Sequence, residues 1–185
     1  MIERVNKDNL AEYEEFIKRH PKGLFQHSSK WAKVKSNWKW EAIMLKDKNG
    51  EIKGSAAALI RFVPVIKYSL FYICRGFVAD ENDFETFDAL FDGIKQLAKE
   101  YKAYCIKIDP EIVIQNTAYK QHLIEKGFKE LNPGCLDFEN VQPRFVYCFD
   151  YNGLSEDELM LTFKPDYRNR IRTVSYTHLR AHETP

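Results

Sequence analysis

Short apolar runs alternating with amphipathic segments predict an α/β fold: a mixed sheet flanked by helices. Two of the runs, residues 70–74 and 104–108, are brief and bounded by turn signals, as strands buried on both faces are. Between them, Phe84, Phe87, Phe91, Ile94, Leu97, Ala98 and Tyr101 fall on one stripe of a helix over 83–101. A second helical segment, 115–126, ends on Gly127-Phe128 and leads to a short strand at 128–131. The order is strand, helix, strand, helix, strand, and the edges of such a sheet are where chemistry is expected.

The elements before and after follow the same logic. Residues 9–19 predict a first helix with Leu10, Tyr13, Phe16 and Ile17 on its apolar side, and Asn9 with Glu12 has capping-box spacing. Ser28 or Ser29 caps a second helix to about residue 37, striped by Trp31, Val34 and Trp38, with Lys35 on the same aromatic face. Residues 41–46 and 51–63 read as a hairpin around Asn49-Gly50, because both residues tolerate positive φ. The small side chains from Gly54 to Ala58 permit close approach of a helix or a ligand, and tight packing is the commoner cause. Residues 144–149 alternate as a strand. Ser155 with Glu158 forms a capping box, and Pro165-Asp166 suits the first turn of a last helix.

Composition bounds the function. A chain of 185 residues, 44% hydrophobic, makes one well-packed domain with the start of another. A net charge of +1 supplies no global field for nucleic acid, so any such partner needs a local patch. Cys74, Cys105, Cys135 and Cys148 show no metal or redox spacing and read as reduced, mostly buried thiols of a cytosolic protein. His178 and His182 are spaced like metal ligands but have no third partner, so no metal is expected. From residue 174 the composition breaks, and 174–185 reads as a non-native tail.

The element order resembles the GNAT acyltransferase fold. A narrower resemblance rests on an ordered set: Gln26-x-Ser28-x-x-Trp31-Ala32-x-Val34-Lys35-x-x-Trp38, Arg75-Gly76-x-Val78-x-Asp80, Ile108-Asp109-Pro110, Gln142-Pro143-Arg144 and Tyr167-Arg168-Asn169-Arg170-Ile171-Arg172. Together these resemble the FemAB (FemX/MurM-type) peptidyltransferases over nearly all of residues 20–172. Two departures stand out: Cys74-Arg75-Gly76-Phe77-Val78 lacks the prolines common there, and the asparagine of the last motif is shifted.

The resemblance implies two tandem GNAT-like domains, with 1–150 as the first and 151–173 as the opening of the second. It implies an aminoacyltransferase that moves an amino acid from aminoacyl-tRNA to the stem peptide of a peptidoglycan precursor, UDP-MurNAc-peptide or lipid II. No cofactor is implied; the tRNA ester is the co-substrate. The setting is cytoplasmic, with peripheral association at the inner face of the membrane through a lipid-linked substrate.

Seven residues are candidates on these grounds. Lys35 would bind a substrate phosphate beside Trp38, against the plain alternative of a solvated lysine. Arg168 and Arg172 would clamp a phosphate or carboxylate, or simply form a basic helix face. Asp109 would orient or deprotonate the acceptor amine with Tyr104 lining the same site, or only initiate a turn. Arg75 would contact substrate or cap the sheet. Two other functions compete: an acyl-CoA-dependent N-acyltransferase of the same fold, and a non-catalytic module that binds the precursor. The acyl-CoA alternative needs a glycine-rich pyrophosphate loop, where this chain has one glycine and the acids Asp80, Glu81 and Asp83.

Overall fold

The computed structural model describes residues 1–65, 67–113, 115–131, 149 and 151–177. The chain divides into two compact units, Met1–Cys135 and Leu136–Pro185.

The first unit is a five-stranded mixed sheet in sequential order: β1 (Ile2–Arg4), β2 (Lys39–Lys46), β3 (Ile52–Phe62), β4 (Ser69–Ile73) and β5 (Ala103–Ile108). The first four strands form an antiparallel meander, and β5 pairs parallel to β4. The crossover between those two is helix α3 (Phe84–Glu100). Helices α1 (Leu10–Arg19) and α2 (Ser29–Val34) precede β2, and α4 (Thr117–Glu125) follows β5. The β2–β3 turn has Gly50 at φ 86°, the positive dihedral that its Asn-Gly signal predicts.

α3 covers one face of the sheet. Phe87, Leu90, Phe91, Ile94 and Leu97 are buried against Ile43, Ala56, Ala58, Phe71 and Ile73. Each such side chain contributes about 1.5–3 kcal/mol on burial. The small residues of β3 make this possible: a methyl group at Gly54 would lie 2.7 Å from Thr86 Cγ2 and 3.1 Å from Leu90 Cδ1. Helix packing, the commoner expectation, is therefore why that stretch is small.

Several expectations need correction. β1 is not expected from the sequence: it is three residues long and is built by pairing Ile2, Glu3 and Arg4 with Leu45, Met44 and Ile43. Arg4 also donates to Glu41 (2.9 Å). Burial pushes the Glu41 carboxyl up, yet Arg4, Tyr101 and Lys39 together hold it below its ordinary value. Asn9 does not cap α1 with its side chain; its amide oxygen accepts from Asn6 N–H (2.7 Å), and Glu12 pairs with Lys46 instead. α2 stops at Val34, with Lys35 as its C-cap, so Trp38 lies in the following turn. β5 is not buried on both faces: Tyr104 and Cys105 are exposed, and among the described residues β5 is an edge strand. Residues 128–131 are not a strand. Residues 144–148, Cys135, and His178 and His182 lie outside the described residues.

The second unit contains α5 (Glu156–Thr162) and α6 (Pro165–Thr177). Its capping box forms as expected, with Glu158 Oε2 accepting from Ser155 N–H at 2.8 Å. α6 runs through residue 174 without a break.

Candidate functional site

Parallel pairing of β4 and β5 brings their C-terminal ends together, with Ile73 opposite Ile108. Ligand groups in open α/β sheets gather at such ends. Asp109 is the first residue beyond β5. Its Oδ1 accepts from the Arg75 backbone N–H at 2.8 Å and its Oδ2 from the Tyr72 hydroxyl at 3.0 Å. Burial pushes the Asp109 carboxyl above its ordinary range, and those two donors limit the rise. Each carboxylate oxygen retains a lone pair for one more donor. Burial likewise raises the Tyr72 phenol and the Cys74 thiol.

The turn that delivers the Arg75 N–H is held tightly. Arg75 sits at φ 59° and Gly76 at φ 83°. A side chain at Gly76 would approach Pro110 to 3.0 Å, so the residue after Asp109 requires glycine there. A non-glycine residue in this region costs about 1–3 kcal/mol and persists where its surroundings over-determine it. Here Asp109 takes the Arg75 N–H, and the Glu111 N–H donates to the Arg75 carbonyl at 3.4 Å. Ser55 and Val78 clasp the rest of the loop through backbone bonds of 3.0 and 2.9 Å.

An aromatic wall extends across the sheet face opposite α3. Register places Trp40, Leu59, Tyr72 and Lys107 in one row across four strands. Leu59, Tyr72 and Cys74 pack there with Trp31, Trp38 and Trp40. The Trp38 and Tyr72 rings are 6.4 Å apart. Lys35 Nζ lies 5.2 Å from the Trp31 ring centre, and the Arg61 guanidinium 5.7 Å from that of Trp38, as cation–π contacts. Trp31 packs on the Leu59, Tyr72 and Cys74 cluster, and so brings Lys35 to this face.

His27, fully buried in a 3-10 turn (Phe25–His27), backs this region. Its Nδ1 accepts from Leu24 N–H at 3.0 Å, and Nε2 faces the Cys74 and Gly76 carbonyls without completing a hydrogen bond. Burial pushes its pKa down to about 4.

The structure thus gathers Lys35, Trp38, Arg75 and Asp109 around the ends of β4 and β5. It separates Tyr104 from them. Tyr104 shares the strand parity of Ile106 and Ile108, which pack on the α3 side, and lines a groove of about 370 Å³ with Phe91, Lys95, Ala98 and Phe128. Arg168, half-buried, and Arg172, exposed, share a face of α6 in the second unit. Sequence reasoning missed Tyr72, Arg61 and His27. The parity of Tyr72 with Cys74 was the signal for the first; the other two depend on cross-strand register and on burial.

At the N-terminus of α3, Asp83 caps the helix, accepting from Thr86 N–H at 2.9 Å and from the Thr86 hydroxyl at 2.7 Å. Beside it Glu81 is paired with Lys22 and accepts from Asn116 Nδ2 at 2.9 Å. Lys22 also donates to the Glu111 carbonyl at 2.6 Å. The space enclosed there is about 10 Å³. A diphosphate at this helix end would meet carboxylates and a lysine already committed. Among the described residues no group of three or more His, Cys, Asp or Glu could hold a metal ion.

A sheet crossed over by one long helix, with a carboxylate fixed where the parallel strands end, defines an acyltransferase-like fold and places the chain for comparison. The chain belongs to the FemAB family, whose model matches residues 9–180. It is 35% identical over 175 residues to the lipid II:glycine glycyltransferase of Staphylococcus epidermidis, covering 92% of this chain and 41% of that protein. The crystal structure of FemX superposes with a TM-score of 0.69 at 30% identity, over 95% of this chain and 44% of that one. A probable acetyltransferase superposes with a TM-score of 0.54 at 13% identity, covering 81% of this chain and 99% of its own, which shows the GNAT-like fold. The chain spans about two fifths of the length of the curated relatives it matches.

Proposed function

We propose that this chain is the front portion of an aminoacyltransferase that adds an amino acid to the stem peptide of a peptidoglycan precursor. Glycine, named for the relatives, is the residue we assign to the donor. Aminoacyl-tRNA is the proposed source and lipid II or its UDP-linked precursor the proposed acceptor. A lipid-linked acceptor would bring the enzyme to the cytoplasmic face of the membrane, although no helix among the described residues is long and apolar enough to cross one.

The observation that carries the reading is Asp109, held by Tyr72 and Arg75 at the end of the parallel strands. Aminolysis of an ester needs a neutral amine, and a carboxylate with its pKa raised toward that of the amine is a better acceptor for the proton. The amine nitrogen attacks the ester carbonyl, the amide bond forms, and the tRNA ribose hydroxyl leaves with a proton. No covalent enzyme intermediate is required; positioning and electrostatic stabilisation supply the acceleration. Lys35 and Trp38 would hold the phosphate and sugar end of the acceptor. Arg168 and Arg172, on α6 of this chain, are proposed as a second clamp for a phosphate or carboxylate. The proposed division into tandem domains, with a boundary near residue 150, belongs to the same reading.

The acid-lined N-terminus of α3 speaks against an acyl-CoA donor, because Asp83 already takes the Thr86 N–H and, with Glu81, puts negative charge where a pyrophosphate would sit. The test is direct. The uninterrupted enzyme, given glycyl-tRNA and the precursor, should yield an amide product visible by mass spectrometry. No product, with acetyl transfer from acetyl-CoA instead, would overturn the reading.

A further inference from the structure

Two cations on the aromatic face are left unused by this account. Arg61, exposed near the end of β3, stacks on Trp38. Lys107, half-buried, stands beside Tyr72 in the parallel register of β4 and β5. Among the described residues neither makes a hydrogen bond or an ion pair, whereas Arg4, Lys22, Lys46 and Lys126 each hold a carboxylate. Asp109 is two residues beyond Lys107 on the same parity, and its oxygens are turned to Tyr72 and Arg75.

Register fixes the spacing. Tyr72 pairs with both Leu59 and Lys107, and Arg61 lies opposite Leu70. With strands ~4.8 Å apart and a rise of ~3.3 Å per residue, the Arg61 and Lys107 Cα atoms are roughly 12 Å apart with Tyr72 between them. Lys107 and Asp109 are roughly 6.6 Å apart along the strand by the same rise. An acceptor amine at Asp109 would bring its peptide along the outer side of the Trp38–Tyr72 pair, within reach of Lys107 and toward Arg61. The Trp38 contact holds the Arg61 guanidinium at this face, and a guanidinium's forked donors match a carboxylate.

We propose that Arg61 and Lys107 bind the free carboxylates of the acceptor peptide, while Lys35, on the Trp31 side, binds the diphosphate. The assignment rests on the function proposed above and names the peptide subsite of that site. It gives the aromatic wall a polarity, with phosphate at the α2 end and peptide across β4 and β5. The acceptor amine is then set at Asp109 by contacts on both sides, which is how remote binding energy fixes a reacting group.

Calorimetry on the 185-residue chain tests it. Wild type, Arg61→Ala and Lys107→Ala are titrated with UDP-muramyl pentapeptide, with the same ligand carrying amidated peptide carboxyls, and with UDP alone. Arg61 is exposed and Lys107 half-buried, and far-ultraviolet circular dichroism verifies folding of both variants. Loss of a hydrogen bond to a charged group predicts about tenfold weaker binding of the acid ligand for each variant. The amidated ligand should bind wild type more weakly, and the variants should then differ from wild type by less than about twofold, since the partner charge is gone. UDP should bind all three proteins alike. Unchanged affinity of both variants for the acid ligand overturns the assignment while leaving the proposed function standing. Equal losses for acid, amide and UDP also overturn it, because the two side chains would then act as general positive charge. Failure of wild type to bind any precursor overturns the proposed function and this assignment with it.

Discussion

Asp109 is governed by two opposed effects, of which burial is the larger. Burial disfavours its charged form; the Tyr72 hydroxyl and the Arg75 N–H favour it. Removing the Tyr72 hydroxyl leaves burial less opposed, so Tyr72→Phe should raise the Asp109 carboxyl pKa further. Carbon-detected NMR titration of the side-chain carboxyl reads this directly, and an unchanged midpoint would mean that the hydroxyl does not stabilise the anion. Asp109 itself was legible in the sequence, because Asp-Pro after an apolar run marks the end of a strand. Its control by Tyr72 was not, since that contact joins residues 37 apart and exists only once β4 and β5 pair. Lys35 was legible with its aromatic partner Trp31, because a spacing of four on a helix is a local contact. The family resemblance grouped Tyr104 with Asp109, but alternation along β5 sets them on opposite faces.

Among the elements, α3 was the most readable. Its phenylalanine stripe follows the helical period: Phe87, Phe91, Ile94, Leu97 and Ala98 are buried as the stripe predicts, Thr86, Leu90 and Gly93 are buried beside them, and Phe84 and Tyr101 at its ends are half-buried. β1 escaped notice because three residues carry too little pattern, and β2 supplies the ladder that defines it. The 3-10 turn before α2 shows how a short connection is held. His27 Nδ1 accepts from the Leu24 N–H across the turn, and does so as the neutral imidazole. Its folded pKa lies below the ordinary 6.5, so the unfolded chain binds the proton more tightly. The His27 contribution is thus complete above pH 6.5 and declines as pH falls from 6.5 toward 4. The loss over that window is about 3 kcal/mol from the size of the shift. Urea unfolding at pH 7.5 and 4.5 should show it, and His27→Asn should lose much less stability between those values. His20 is shifted in the same direction by burial, so the comparison between wild type and variant isolates His27. Equal pH dependence of the two proteins would contradict the buried neutral state.

At the scale of the molecule, the meander followed by one helical crossover was readable from the order of patterns alone. The two faces of the resulting sheet have separate tasks. One is filled by α3; on the other, α1 packs on Ala42, Met44 and Ala57, and among the described residues the β4–β5 side carries tryptophans, Arg61, Lys107 and Asp109. The sequence showed less of the second face, because its row of Trp40, Leu59, Tyr72 and Lys107 is assembled from four strands. The acids that cap and seal the start of α3 were visible in the sequence, and their geometry supports the preference for a precursor site over a thioester-carrier site.

That preference is tested most directly by calorimetric titration of this chain with UDP-muramyl pentapeptide and, separately, with coenzyme A. The account predicts saturable binding of the pentapeptide, weakened about tenfold by Lys35→Ala as one charge-assisted contact is lost, and no saturable binding of coenzyme A. Tight one-to-one binding of coenzyme A, with the pentapeptide unbound or indifferent to Lys35→Ala, would contradict it.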